Sequence, residues 1–534
     1  MMINNEIKLT YEEFVYSSHS FPQCSIDYLY CLAKMRGLDA ANPQNATVLE
    51  IGCGCGGNIL PQAINMPNSK FIGVDLSSKQ IKIANDAAKD MGLKNIKFEA
   101  IDMCEFADFI NGGGLSEFLN LNGGVKFDFI VMHGVYSWIP TFVRAKFLEL
   151  VRDFLSPNGI CFVSYNCYPG WKYLEIQRDF MRFSAAVTPR DDKFQASMDA
   201  LKFKKIALNK MAFTHHSPYN EFRINLESSH CDEILESPNK SYIFHEYLEI
   251  CNQPFYFLDF IDDIGEFDLG YVCDCFFEMY YEDLNDKTLT EFAMLNYAQR
   301  YQKEQLFDFL NNARFRNSII THATNKIETD AEKMLENIRD FHLAFIADLQ
   351  KIQSIKKRAK GTIDEPLIDA LEKVYPASLS INELLSIVPK DDLLRAFFDL
   401  MNYTAAIKLH STKLEAIHYG KNKSKIKENY IPYIRYFLKQ EDNHLGFANL
   451  LNLSIKFDKK TLEMVLKFDG KNSQKDIANL TKDEFKKAEI LPTIEKDGKV
   501  VDVIKDEKKQ VEYFEKLVAD VSKSLSLNYF FEKI

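Results

Sequence analysis

Apolar residues in the first third of the chain come in short runs: Val48-Leu-Glu-Ile51, Phe71-Ile-Gly-Val74, Ile96-Lys-Phe-Glu-Ala-Ile-Asp102-Met103, Phe127-Asp-Phe-Ile-Val-Met132 and Gly159 to Asn166. Runs of this length between turn residues predict strands, and the near-continuous ones predict parallel strands buried on both faces. Helix-length stretches separate them, such as Val143 to Phe154, which ends at Ser156-Pro-Asn-Gly159. The alternation predicts an α/β fold with a doubly wound sheet. The first strand runs straight into Gly52-Cys-Gly-Cys-Gly56-Gly-Asn58. Glycines at 52, 54 and 56 allow a tight strand-to-helix turn and let backbone N–H groups approach a ligand. Asp75 closes the second strand 23 residues after Gly52, near where a βαβ unit places a ribose-binding carboxylate.

Dinucleotide oxidoreductases share those two signals. The choice rests on Glu50 before the first glycine, Asp102 after the third strand, and the His133-Gly-Val-Tyr136 turn after the fourth. Together these make residues 45–170 resemble a class I S-adenosylmethionine-dependent methyltransferase with a Rossmann-like sheet. The resemblance implies that Gly52, Gly54 and Gly56 line the methionine moiety and that Asp75 holds the ribose hydroxyls. It places Asp102 and the Met103 backbone at the adenine, and Glu50 as the orienting acid of the turn. Cys53, Asn58, Leu76 and His133 complete the expected cofactor contacts, and no metal is expected.

A narrower resemblance rests on Phe127 to Pro140, on Val163-Ser-Tyr-Asn-Cys-Tyr-Pro-Gly-Trp171, and on His245-Glu-Tyr-Leu-Glu-Ile-Cys-Asn-Gln-Pro-Phe-Tyr-Phe257. These resemble bacterial methyltransferases with a methyltransferase regulatory domain. With its long C-terminal extension the chain is similar to the rickettsial protein-lysine methyltransferases, which modify outer-membrane protein B. Cys167 departs from the threonine-like residue usual in the second motif. The resemblance implies lysine side chains of a protein as substrate, and a homodimer. His133 to Tyr136 occupies the place of the Asn-Pro-Pro-Tyr turn of amide and amine methyltransferases. That makes Tyr136 the first catalytic candidate, followed by Trp138, Tyr165, Asn166, Tyr168 and Trp171, with His133 as a hydrogen-bonding or proton-accepting partner. Both tryptophans of the chain fall in these two loops.

The formal net charge of −11 over 534 residues argues against nucleic acid and suits a lysine-rich partner. The N-terminal residues lack a signal-peptide core, and no run approaches the length of a spanning helix, so membrane insertion is not expected and cytoplasmic residence is. Cys53-x-Cys55 and Cys273-x-Cys275 lack paired zinc spacing. His215 and His216 have no ligand partners at useful spacing and read as surface histidines.

Five regions are expected. They are an N-terminal helical segment (1–40), the cofactor domain (41–185), a regulatory and dimerisation region roofing the site (186–320), a helical linker with a winged-helix-like unit (321–424), and a C-terminal domain (425–534). Met334, Ile338, Phe341, Phe345 and Leu349 predict one amphipathic helix over Thr329 to Lys357. Helices at 363–374, 380–388 and 391–402, followed by a hairpin to Tyr419, give the winged-helix order. Ser380-x-x-Glu383 is a capping box, and Asp391-Asp392 opens a third helix poorly suited to DNA. The apolar stretch from Leu525 to Phe530 is expected to dock on the body. Two other function classes remain open: a methyltransferase of a small amine or other nucleophile, and a non-catalytic cofactor-binding regulator.

Overall fold

A computed structural model describes residues 10, 12, 15–119, 124–212, 218–275, 287–297, 299–403, 406–441, 444–496 and 499–534. His215 and His216 lie outside the described residues. The five anticipated strands form: β1 (Thr47–Ile51), β2 (Lys70–Asp75), β3 (Ile96–Ala100), β4 (Phe127–Met132) and β5 (Leu155–Asn166). They pair in parallel in the order β3-β2-β1-β4-β5. Two strands from the region expected to roof the site, β6 (Leu269–Asp274) and β7 (Phe315–His322), instead extend the same sheet. β7 runs antiparallel to both β5 and β6, so the sheet is mixed and seven-stranded.

Period-two alternation divides this sheet between two cores. Leu49, Ile51, Ile130 and Met132 point into a core closed by the helices Met103–Asn111, Thr141–Phe154 and Phe257–Gly265. Val48, Phe129, Val131 and Phe162 point into the other. That second core also takes the helix Ile26–Met35 and runs without a break to Phe530 and Phe531. The cofactor sheet and the C-terminal half thus share one continuous core, joined through the helix Ile26–Met35. As expected, Leu525 and Phe530 are buried, with the Phe530 ring stacked on Phe447 at 5.8 Å.

Helices Trp171–Val187, Lys193–Ala212, Pro218–Glu236 and Lys240–Leu248 form an outlying layer with a small core of their own around Met181, Leu201, Ile224 and Ile234. Its outer surface exposes Phe183, Phe203 and Phe222.

The single helix expected over Thr329 to Lys357 is instead a helix (Ala331–Asn337), a strand β8 (His342–Phe345) and a second helix (Leu349–Ala359). Met334 and Ile338 are buried as the helical period requires, but the period fails at Leu349, which is 42% exposed. Asp348 restarts the chain as an N-cap, its carboxylate accepting from the Lys351 N–H at 2.8 Å. Likewise the hairpin to Tyr419 does not form among the described residues. The strand there is β10 (Ile407–His410), and it pairs with β8, which also pairs with β9 (Leu379–Ser380). A sheet with neighbours far apart in sequence replaced a local hairpin because β8 offered the alternation. The capping box at Ser380 and Glu383 is present in both directions, at 3.1 and 2.7 Å.

Candidate active site

The chain folds back on itself where β1 ends. The N–H groups of Gly52 and Cys53 both donate to the Val74 carbonyl, at 2.8 and 3.1 Å. Gly52 adopts φ +72°, and a Cβ there would come within 2.4 Å of Val135 Cγ2. Gly54, at φ +55°, donates its N–H to Asp75 Oδ2 at 2.9 Å, while the Ser77 N–H donates to Oδ1 at 2.9 Å. Asp75 is therefore held rigidly with one lone pair on each oxygen to spare. Burial raises its pKa, and the backbone N–H groups of Ser77, Gly54 and Leu76 oppose that rise.

Glu50 lies behind the turn, 4% exposed. Its Oε1 accepts from Asn58 Nδ2 at 2.8 Å, and its Oε2 is buried with no partner among the described residues. Burial pushes the carboxyl up to about 8, against the Asn58 hydrogen bond and with help from the Asp75 charge. An orphaned buried carboxylate oxygen calls for a cationic ligand.

These residues border one cavity of about 640 Å³, which Leu76, Asp102 and Met103 also line. Asp102 caps the following helix through a 2.9 Å bond from the Cys104 N–H to Oδ1. His133 and Trp138 reach the cavity from the loop after β4, Asn166 from the last position of β5, and Trp171 from the first turn of the helix that follows. His133 Nδ1 is 2.8 Å from Ser164 Oγ, which also accepts from the Gly134 N–H at 2.7 Å. Burial pushes the imidazole down to about 4, so it is neutral at neutral pH. The Trp138 and Trp171 rings meet edge to face at 6.1 Å, and Asn166 Nδ2 donates to Asn252 Oδ1 at 3.1 Å.

Four expected site residues lie elsewhere. Tyr136 is fully buried outside the cavity, its ring packed on Phe147, Phe255 and Phe260 and its hydroxyl 3.5 Å from Asp263 Oδ2. The short 3₁₀ turn Tyr136–Trp138 explains this: it sends Tyr136 into the core and Trp138 into the cavity. Tyr165 stacks on Phe260 at 4.3 Å and shares a 3.2 Å hydrogen bond with Ser318 Oγ, because even positions of β5 and odd ones face opposite cores. Gly56 packs under the turn, where a Cβ would meet Phe98 Cζ at 2.8 Å. Tyr168 likewise bonds Glu175 Oε1 at 2.6 Å, outside the cavity.

The structure adds residues that pattern reasoning missed. A strap of Tyr16, Ser18, His19 and Phe21 forms one wall, with Phe21 against His133 at 4.0 Å. Nothing periodic marks it. Glu246 and Tyr242, from the helix Lys240–Leu248, form another part, together with Arg314. Glu246 lies inside the motif that begins at His245, so that motif was the available signal. Burial pushes Glu246 up to about 7, opposed by Arg178 and Arg314, and its carboxylate makes no hydrogen bond or ion pair among the described residues. Tyr16 is pushed up to about 12 by burial and by Glu246. The rest of the motif locks the loops: the Gln253 N–H donates to Ser137 O at 2.8 Å and the Phe255 N–H to Asn166 O at 3.0 Å.

Comparison with known proteins agrees with this geometry. Residues 42–223 match a family described as "Methyltransferase domain", and residues 239–322 match "Predicted methyltransferase regulatory domain". The chain is similar to PKMT2 from Rickettsia typhi, solved in complex with AdoHcy, at 25% identity and a TM-score of 0.72, covering 97% of this chain and 99% of that one. It is 31% identical to the uncharacterized protein RP789 of Rickettsia prowazekii over 76% of this chain and 70% of that protein. RP028 of the same organism is 35% identical over 49% of this chain and 96% of its own length. Glu50, the Gly52–Gly54 turn and Asp75 fit S-adenosylmethionine, with an acceptor for an ammonium, a close backbone approach for a carboxylate, and acceptors for ribose hydroxyls. The chain is an S-adenosylmethionine-dependent methyltransferase of the class I fold and belongs to the family in which a methyltransferase regulatory domain follows the cofactor domain.

Proposed function

We propose that the chain is a protein-lysine N-methyltransferase whose substrate is an outer-membrane protein B-like surface protein, and that it works as a homodimer in the cytoplasm. The observation that carries the reading is Glu246: a carboxylate without a hydrogen-bond partner among the described residues, bordering the cofactor cavity with Tyr16, Tyr242 and Trp138. Such a group attracts an ammonium, and the aromatic faces around it tolerate a methylated amine. The name of the Rickettsia typhi neighbour, PKMT2, and the net charge of −11 are consistent with a lysine-rich protein as acceptor. No described helix is long and apolar enough to cross a membrane.

S-adenosylmethionine supplies an electrophilic methyl group. The chain must supply a neutral amine, and a lysine with a free pKa of about 10.4 is charged at pH 7, at a cost of about 4.6 kcal/mol to deprotonate. Glu246, held near 7, is matched to accept that proton at neutral pH, and Arg178 and Arg314 limit how far it rises. Trp138 and Trp171 exclude water beside it, and Asn166, fixed by Asn252, offers its carbonyl oxygen to the amine. His133 stays neutral and holds the loop through Ser164.

The test is mass spectrometry of outer-membrane protein B fragments after incubation with enzyme and S-adenosylmethionine. Increments of one to three methyl groups on lysines are expected. Methylation of free amines alone would favour a small-molecule acceptor, and no incorporation at all a non-catalytic role.

A further inference from the structure

The turn that carries Glu50 and the glycines is closed by a residue 394 positions from Asn58. Asn452 is 2% exposed and donates both amide hydrogens, one to the Phe21 carbonyl at 3.0 Å and one to Asn58 Oδ1 at 2.7 Å. The Phe21 N–H donates to that same Oδ1 at 3.1 Å. A backbone N–H can only donate, so Asn58 must turn its oxygen toward the strap and its NH₂ toward Glu50. Glu50, Asn58 and Asn452 therefore form one buried series, and both polar groups of the Phe21 backbone are clasped between the last two.

Asn452 is itself well founded. It adopts φ +58°, a conformation that asparagine tolerates better than most side chains. Asn449 braces its turn by accepting from the N–H groups of Leu451 and Leu453 at 2.9 and 3.0 Å, and by donating to Asn528 Oδ1 at 3.0 Å. Beside it the strap makes a single parallel β-bridge, Ser18 opposite Leu445. The Ser18 N–H donates to His444 O at 2.8 Å, the Gly446 N–H donates to Ser18 O at 2.9 Å, and Ser18 Oγ accepts from the Gly57 N–H at 2.8 Å.

We propose that the C-terminal domain is part of the cofactor site, with Asn452 as a positioning residue that holds the strap as the cavity wall and sets Asn58 against Glu50. Removing the Asn452 amide leaves the Phe21 carbonyl with the Cys24 N–H as its remaining donor, at 2.9 Å, and Asn58 Oδ1 with one donor instead of two. The strap then loses its tie to the C-terminal domain at Phe21 and keeps the pairing with 444–446. The inference concerns cofactor retention and does not depend on which acceptor is methylated.

Asn452→Gly in the full chain is the direct test, because glycine keeps the left-handed turn and deletes the amide. Titration calorimetry with S-adenosylhomocysteine is expected to show about tenfold weaker binding, the loss expected for one or two buried hydrogen bonds. The KM for S-adenosylmethionine should rise by a similar factor, with kcat and the melting temperature little changed. Asn452→Asp, of the same size but unable to donate, should weaken binding as well, and it decides the matter if the glycine variant is unstable. Affinity within twofold of wild type in a folded variant overturns the proposal. So does a loss of affinity that simply follows the melting temperature in both variants.

Discussion

Glu50→Gln separates the stability of the fold from its readiness for cofactor. Glu50 is 4% exposed, and burial raises its carboxyl from an ordinary value of 4.5 to about 8. The folded state therefore holds a proton that the unfolded state releases between those values, and stability falls as pH rises through that window. At about 1.4 kcal/mol per unit, the full shift is worth up to about 5 kcal/mol, of the order of a whole domain's margin. At pH 5.5 the penalty is only about 1.4 kcal/mol, and at pH 8 it is about 4 kcal/mol. The Glu50→Gln side chain keeps the shape and the acceptor for Asn58 but never ionises. Thermal melts of the cofactor-free proteins should therefore run close together at pH 5.5 and separate to about 5 °C at pH 8, with the variant the more stable. Saturating S-adenosylhomocysteine should reverse the order, because only the ionised carboxylate meets the ligand's ammonium. Melting curves that stay parallel across this pH range would refute the account of Glu50 as a buried charge awaiting its partner.

Tyr136→Phe should leave turnover within twofold of wild type, since the hydroxyl's 3.5 Å contact with Asp263 lies in the aromatic core rather than the cavity; steady-state kinetics checks it. Glu246→Gln should lower turnover by about a hundredfold while calorimetry shows unchanged cofactor affinity. Because Glu246 must be ionised to take a proton, wild-type activity should rise with pH through about 7, and that limb should vanish in the variant. A fragment ending near residue 325 uncovers the helix Ile26–Met35, which packs against the helix Ala331–Asn337 and β10, and lacks Asn452. It should aggregate in size-exclusion chromatography and show no heat with S-adenosylhomocysteine.

The sheet and the cofactor turn were legible because their signals are local: short apolar runs, alternating glycines, and acids at strand ends. Trp138, Asn166, Trp171 and His133 were legible as residues gathered at the carboxyl ends of two neighbouring parallel strands. Tyr136 was misplaced by analogy of position, since one 3₁₀ turn decides which of two neighbouring aromatics faces the cavity and no periodicity encodes it. The strap and Asn452 gave no signal because their partners are remote in sequence. β8 shows the same limit: His342 to Phe345 continues a helical spacing by coincidence, and only the long-range pairing with β10 settles its state.

The clasp around Phe21 also sets the order in which the site is assembled during synthesis. The glycine turn ends at Asn58, yet Phe21 and Asn452 are separated by 431 positions, and contacts of such span form late. A nascent chain therefore carries the cofactor motif long before it carries a closed cofactor wall. Ribosome-bound intermediates and chains terminated early should not sequester S-adenosylmethionine, and tight retention of the cofactor marks a chain whose last domain has folded.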